Sequence, residues 1–139
     1  MQPIAYTFRV ALCSGAVAEG SGDDVAGDAV DVTGAADVAF LVTLGADVVG
    51  NTCLLEGSNT SAAAGFAQIL GASVAGGSGE LVVLELVNPL FRWVRPVVNR
   101  AGGAAAISSM VALVRAKRQP ATHGESVAAV VAVDAPVDE

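Results

Sequence analysis

Lysine and histidine are nearly missing from this chain, which has one of each, Lys117 and His123, among 139 residues. The shortage of lysine removes the G-x(4)-G-K-[ST] phosphate loop. With a net charge of −7 the chain also lacks the surplus of cations that drives nonspecific binding to DNA or anionic lipid. No nucleic-acid or membrane partner is expected. His123 lies in a polar segment and reads as solvated, so no nucleophile gains a base from it. Ser14 and Ser78 sit in small-residue loops, and neither occupies a G-x-S-x-G elbow.

Cysteine is scarce as well. Cys13 and Cys53 stand forty residues apart with no C-x-x-C spacing, which excludes the common zinc frameworks. Both read as free, buried thiols, although a bridge between them is left open. Asp23, Asp24, Asp28 and Asp31 do not have the spacing of an EF-hand loop and read as solvated carboxylates. The N-T-S triplet at 59–61 matches a glycosylation acceptor, a pattern that is common by chance. Catalytic residues, metal and cofactor are all expected to be absent, and the chain is read as no enzyme.

No apolar run approaches the roughly twenty residues of a transmembrane helix. At the N-terminus Ile4, Tyr6, Phe8, Val10 and Leu12 alternate with Ala5, Thr7, Arg9 and Ala11, which is a strand pattern and not the helical core of a signal peptide. A soluble protein is expected in the compartment of synthesis. Aromatics make up only 4% of a chain that is 53% apolar, so the core must be filled by Val, Ala and Leu. Sixteen glycines and few long helix formers argue against a bundle.

What is present has period two. Residues 14–36 are rich in Gly, Asp and Ala and read as loop, with a short strand at 29–32. In DVAFLVTLGA, Val38, Phe40, Val42 and Leu44 share one face, and Ala39 and Leu41 make the other partly apolar, the mark of a central strand. Strands at 52–56 and 66–70 form a hairpin around a small-polar loop, and a further strand covers 80–87. In FRWVRPVVNR, Phe91, Trp93, Arg95 and Val97 oppose Arg92, Val94, Pro96 and Val98. Pro96 has no amide donor and predicts an edge or a bulge. Residues 101–104 form the next turn. Residues 104–118 read as strand in preference to helix, with Met110, Ala112 and Val114 on one face and Ile107, Val111 and Leu113 on the other.

These elements predict an all-β fold, a small sandwich or barrel of jelly-roll type with about seven strands over residues 1–120. An apolar, acidic-ended C-terminal arm follows over 121–139. Charge is segregated along the chain: residues 1–90 hold ten Asp and Glu but one cation, Arg9, while the other six cations fall between 92 and 118. Such separation suits the docking of a large surface without chemistry. The candidate contacts are Arg92, Trp93, Arg95, Arg100, Lys117 and Arg118, with Val127, Val131 and Val133 on the arm.

The order DVAFLVTLGA, CLLEGSNTSAAAGFAQI, then ELVVLELVNPLFRWVRPVVNRAGGAAAISSMVALVRAKRQP resembles small structural proteins of tailed bacteriophages. In that group an F-x-V-x-x-G strand precedes a hairpin, followed by a basic-aromatic R-[YW]-[VL]-R strand, a Gly-rich turn and an apolar strand ending in R-x-x-P. The resemblance covers roughly 37–120, and the hairpin keeps only Phe66 of the group's usual aromatics. It implies a capsid cement or decoration protein, made in the host cytoplasm. Such a protein binds the major capsid protein on the outer surface of the virion, commonly as a homotrimer. A different class, a tail- or fibre-associated module reading a host glycan, would need exposed aromatics, and this chain has one Trp and one Tyr.

The arm carries its own test. SVAAVVAV, residues 126–133, is β-prone and free of Pro and Gly, and such a segment calls for strand pairing with a neighbouring subunit or with the capsid protein. Deleting 121–139 is expected to leave a folded β-domain by circular dichroism and to lower oligomer melting or capsid retention.

Overall fold

Alternating apolar positions bury one face of each strand and leave two sheets to close on one another. The computed structural model describes residues 8–18, 20, 24–45, 51–74, 81–100 and 106–116. Among these residues there are nine strands: β1 (Phe8–Ser14), β2 (Asp24–Ala26), β3 (Val30–Asp31), β4 (Ala35–Leu44), β5 (Asn51–Ser58), β6 (Ala67–Val74), β7 (Leu81–Val87), β8 (Trp93–Asn99) and β9 (Ile107–Ala116). They form a four-stranded sheet in the order β1-β9-β4-β7 and a five-stranded sheet in the order β2-β8-β5-β6, in which β3 also pairs with β8. Every pairing is antiparallel. The fold is all-β and consistent with a small sandwich. The short strand expected at 29–32 is β3, and β2 is the strand that the sequence reading did not contain.

One core lies between the sheets. From the four-stranded sheet come Val38, Phe40, Val42 and Leu44 of β4, each 0% exposed, with Met110 and Ala112 of β9. The five-stranded sheet supplies Cys53, Leu55, Val94 and Val98. Phe40 pairs with Ala112 across β4 and β9, so the one fully buried aromatic ring among the described residues stands beside a small side chain. Each such Val, Leu or Phe contributes roughly 1.5–3 kcal/mol by leaving water. Cys13 and Cys53 are free thiols in this core, and burial raises their pKa to about 12 and about 11. Both therefore stay protonated at neutral pH.

Three local details differ from the sequence reading. First, β8 is interior, flanked by β5 on one side and by β2 and β3 on the other. The interruption demanded by Pro96 lies in its partner. Ala26 pairs with Val97 and Val30 with Val94, and the chain between them leaves the ladder opposite Pro96, whose carbonyl accepts from Gly27 N at 2.8 Å. Second, Ile107 is buried with Met110, because the β4–β9 register slips between Thr43 and Leu44 and returns Ile107 to the core side. Third, Arg92 precedes β8 instead of belonging to it.

The sheets are joined by turns and by a seam. At the step from β3 to β4, Ala35 N donates to Val32 O at 3.0 Å, and Gly34 takes φ +75°, a conformation glycine adopts at no steric cost. Along the seam Asp28 N donates to Cys13 O at 2.8 Å, and the Arg9 guanidinium donates to the Asp31 carbonyl. Residues 101–105 and 121–139, which hold the predicted turn and arm, lie outside the described residues.

Gly27 sits where the seam is tightest. A Cβ there would lie 2.9 Å from Pro96 Cγ, 3.0 Å from Cys13 Cβ and 3.1 Å from Met110 Sδ. Gly27→Ala is expected to lower stability by about 1–3 kcal/mol through overpacking. Gly15→Ala, with nothing within 4 Å, is the control that should leave thermal unfolding unchanged.

Candidate docking surfaces

The basic-aromatic strand folds into a network within the chain. Arg95 reaches across from β8 to β5, where its guanidinium donates to Glu56 Oε1 from Nε at 2.9 Å and lies 2.8 Å from the same oxygen through Nη2. Its plane also covers the Phe66 ring at 4.0 Å. Arg100 is 5% exposed and donates from Nη1 to the Ala18 carbonyl at 2.8 Å, holding the segment after β1 against the end of β8. Its place is inside the domain, away from any open docking face. Arg92 stands apart, with its side chain 60% exposed. It makes a looser pair with Asp31 at 3.5 Å and lies 4.8 Å from the Trp93 ring centre. Burial raises the pKa of Asp31, but hydrogen bonds from Thr33 and the charge of Arg92 outweigh it and leave the pKa lowered.

The small-polar loop between β5 and β6 is built, not slack. Ser58, 1% exposed, accepts from Thr60 N at 3.0 Å and donates to the Ala64 carbonyl. Ser61 Oγ accepts from Ala63 N and Ala64 N. Asn59 Oδ1 accepts from Arg92 N at 2.9 Å, which ties the loop to the basic strand. One end of the sandwich thus presents Arg92, Asn59 and Leu90, the last 88% exposed, on a pinned backbone. Lys117, Arg118, Val127, Val131 and Val133 lie outside the described residues.

A second surface was only half legible in the sequence. The outer face of the four-stranded sheet carries apolar residues on all four strands. Leu12, Val111, Leu41 and Val83 form one continuous row, and Val10, Leu113 and Ala39 lie in the next. Among the described residues, four of the five exposed large apolar side chains sit here: Leu12, Leu81, Val83 and Val87, at 45 to 61%. Antiparallel sheets usually turn a polar face to water. The signal was Ala39 and Leu41 in β4. In LVVLELV the apolar run is interrupted only by Glu85, and in β1 the alternation is clean but its more apolar side, Phe8, Val10 and Leu12, faces outward.

A recess of about 400 Å³ opens between β1 and the segment 28–31, lined by Arg9, Cys13, Asp28 and Asp31 among others. Its thiol is held protonated by burial and, in smaller part, by the nearby charge of Asp28, and Arg9 is committed to the Asp31 carbonyl. Among the described residues no three His, Cys, Asp or Glu come together in a way that could hold a metal ion.

Arg95 and Arg92 are expected to behave differently when reversed. Arg95→Glu places two carboxylates together in a half-buried site and removes the cover from Phe66, which should cost about 1.5–3 kcal/mol in denaturant unfolding. Arg92→Glu breaks an exposed pair and an exposed contact with the Trp93 ring and should change stability by about 1 kcal/mol or less. A joint reversal of both would therefore mix a loss of stability with any loss of binding, and Arg92 alone is the clean probe of docking. No known protein family matches the chain, and no curated protein matches it.

Proposed function

We propose that this chain is a capsid cement protein of a tailed bacteriophage. In this role it is a non-enzymatic subunit that binds the outside of the shell formed by the major capsid protein and stabilises it. The observation that carries the proposal is the outer face of the four-stranded sheet, where the side that normally meets water carries apolar residues on all four strands. A contiguous exposed apolar surface of this kind fits a protein that works within an assembly. The order of segments over 37–120 supports the same role. Trp93 of the basic strand and Phe66 of the hairpin are already engaged by guanidinium groups, Trp93 by Arg92 and Phe66 by Arg95, which favours shell binding over a glycan platform.

In this proposal the shell is met by the end of the sandwich that holds Arg92, Asn59 and Leu90. Its backbone is fixed by the Asn59 bond, its cation is exposed, and Leu90 offers an apolar anchor. Preorganised contacts lose little entropy on binding. The purified chain is expected to cosediment with empty, undecorated capsids and to raise their resistance to heat. Arg92→Glu should weaken binding, most of all at low salt, by slowing association. Absence of cosedimentation at any salt concentration, with capsid melting unchanged, would overturn the proposal.

A further inference from the structure

We propose that the outer face of the four-stranded sheet is a homotypic interface, in which two copies of the chain pack face to face about a two-fold axis running along the strands between β4 and β9. The inference rests on the reading of that face as an assembly surface and adds its occupant, a two-fold pair in place of the homotrimer that the resemblance implies.

The register makes the face self-complementary about this axis. Arg115 and Asp37 are opposite each other on β9 and β4, as are Leu113 and Ala39 in the next row. Rotation about an axis along the strands keeps each row level and exchanges β9 with β4 and β1 with β7. Arg115 then meets Asp37 of the second copy, and Asp37 meets Arg115. Within one chain these two already pair at 3.0 Å, so the dimer holds an alternating ring of two cations and two carboxylates. In the next row Leu113 meets Ala39, large against small, in both directions. One row further on, Leu12 at one edge meets Val83 of the second copy at the other.

Charge also selects the occupant. With a net charge of −7, two copies repel wherever their acidic surfaces approach. On this face Arg115 and Asp37 neutralise each other, and among the described residues Glu85 is the one carboxylate left, on the edge strand and away from the axis. Sheets packed face to face lie about 10 Å apart with strands within about 30°, a geometry that two identical twisted sheets can adopt. A four-strand face about 19 Å wide and up to about 34 Å long offers a footprint of roughly 600 Å², close to the roughly 800 Å² per partner of a specific interface. Because the long-range term between two acidic copies is repulsive, added salt should tighten the pair.

Sedimentation equilibrium of the full chain without capsids is expected to give a dimer whose dissociation constant falls as salt rises. Leu12→Glu with Val83→Glu should raise that constant at least about tenfold. Geometry is read independently by mixing Leu12→Cys copies with Val83→Cys copies and adding a short bismaleimide, with Cys13 and Cys53 buried and silent. The mixture should crosslink, and each variant alone should not. A monomer at all concentrations, a trimer, or crosslinking of Leu12→Cys to itself would overturn the two-fold arrangement. If a monomer binds capsids and Val83→Glu abolishes that binding, the face belongs to the capsid protein. Cosedimentation with capsids is scored separately, so a dimer that ignores capsids refutes the cement role and leaves the interface standing.

Discussion

The pairing of β4 with β9 is the constraint on which the rest of the structure depends. These are the longest strands described, ten residues each, and they bring residues 35–44 against 107–116 across the whole intervening chain. Their inward side chains, Val38, Phe40, Val42, Leu44, Met110 and Ala112, are 0% exposed and form the floor on which the second sheet closes. With so few aromatics, contact between the sheets depends on close approach. The pairing of Phe40 with Ala112 and the absence of a side chain at Gly27 serve that approach.

The same pair sets the character of the opposite face. Once the register is fixed, Ala39, Leu41, Val111 and Leu113 must all point away from the core, because alternate side chains of a strand point to opposite sides. Among the described residues the exposed large apolar side chains, Leu90 apart, are concentrated on this sheet, on its edge strands β1 and β7. The five-stranded sheet instead carries the ion pair of Arg95 with Glu56 and the pinned loop at its end.

The cations illustrate why proximity in sequence does not make a patch. Arg92, Arg95 and Arg100 lie within nine residues, yet one is exposed, one is half-buried against Glu56 and Phe66, and one is buried on the Ala18 carbonyl. Guanidinium groups pair readily at partly buried sites because a planar fork can satisfy several acceptors at once. Clustering therefore reflects the single carboxylates that the neighbours of β8 offer, Glu56 on β5 to Arg95 and Asp31 on β3 to Arg92, as much as any external partner.

Period-two alternation, the glycine content and the scarcity of long helix formers determined the all-β class, and Val38, Phe40, Val42 and Leu44 named the core face of β4 before any contact was known. Those properties are local, since they follow from how one strand presents its own side chains. The hairpin of β5 and β6, the strand over 107–116 and the burial of both thiols were legible for the same reason. Tertiary structure alone decided which side of β1 is buried, where Pro96 loses its partner, and that a register slip returns Ile107 to the core. It alone assembled four outward faces into one apolar surface. Each of these depends on which strand lies beside which, and strand order is settled by contacts between residues far apart in the chain.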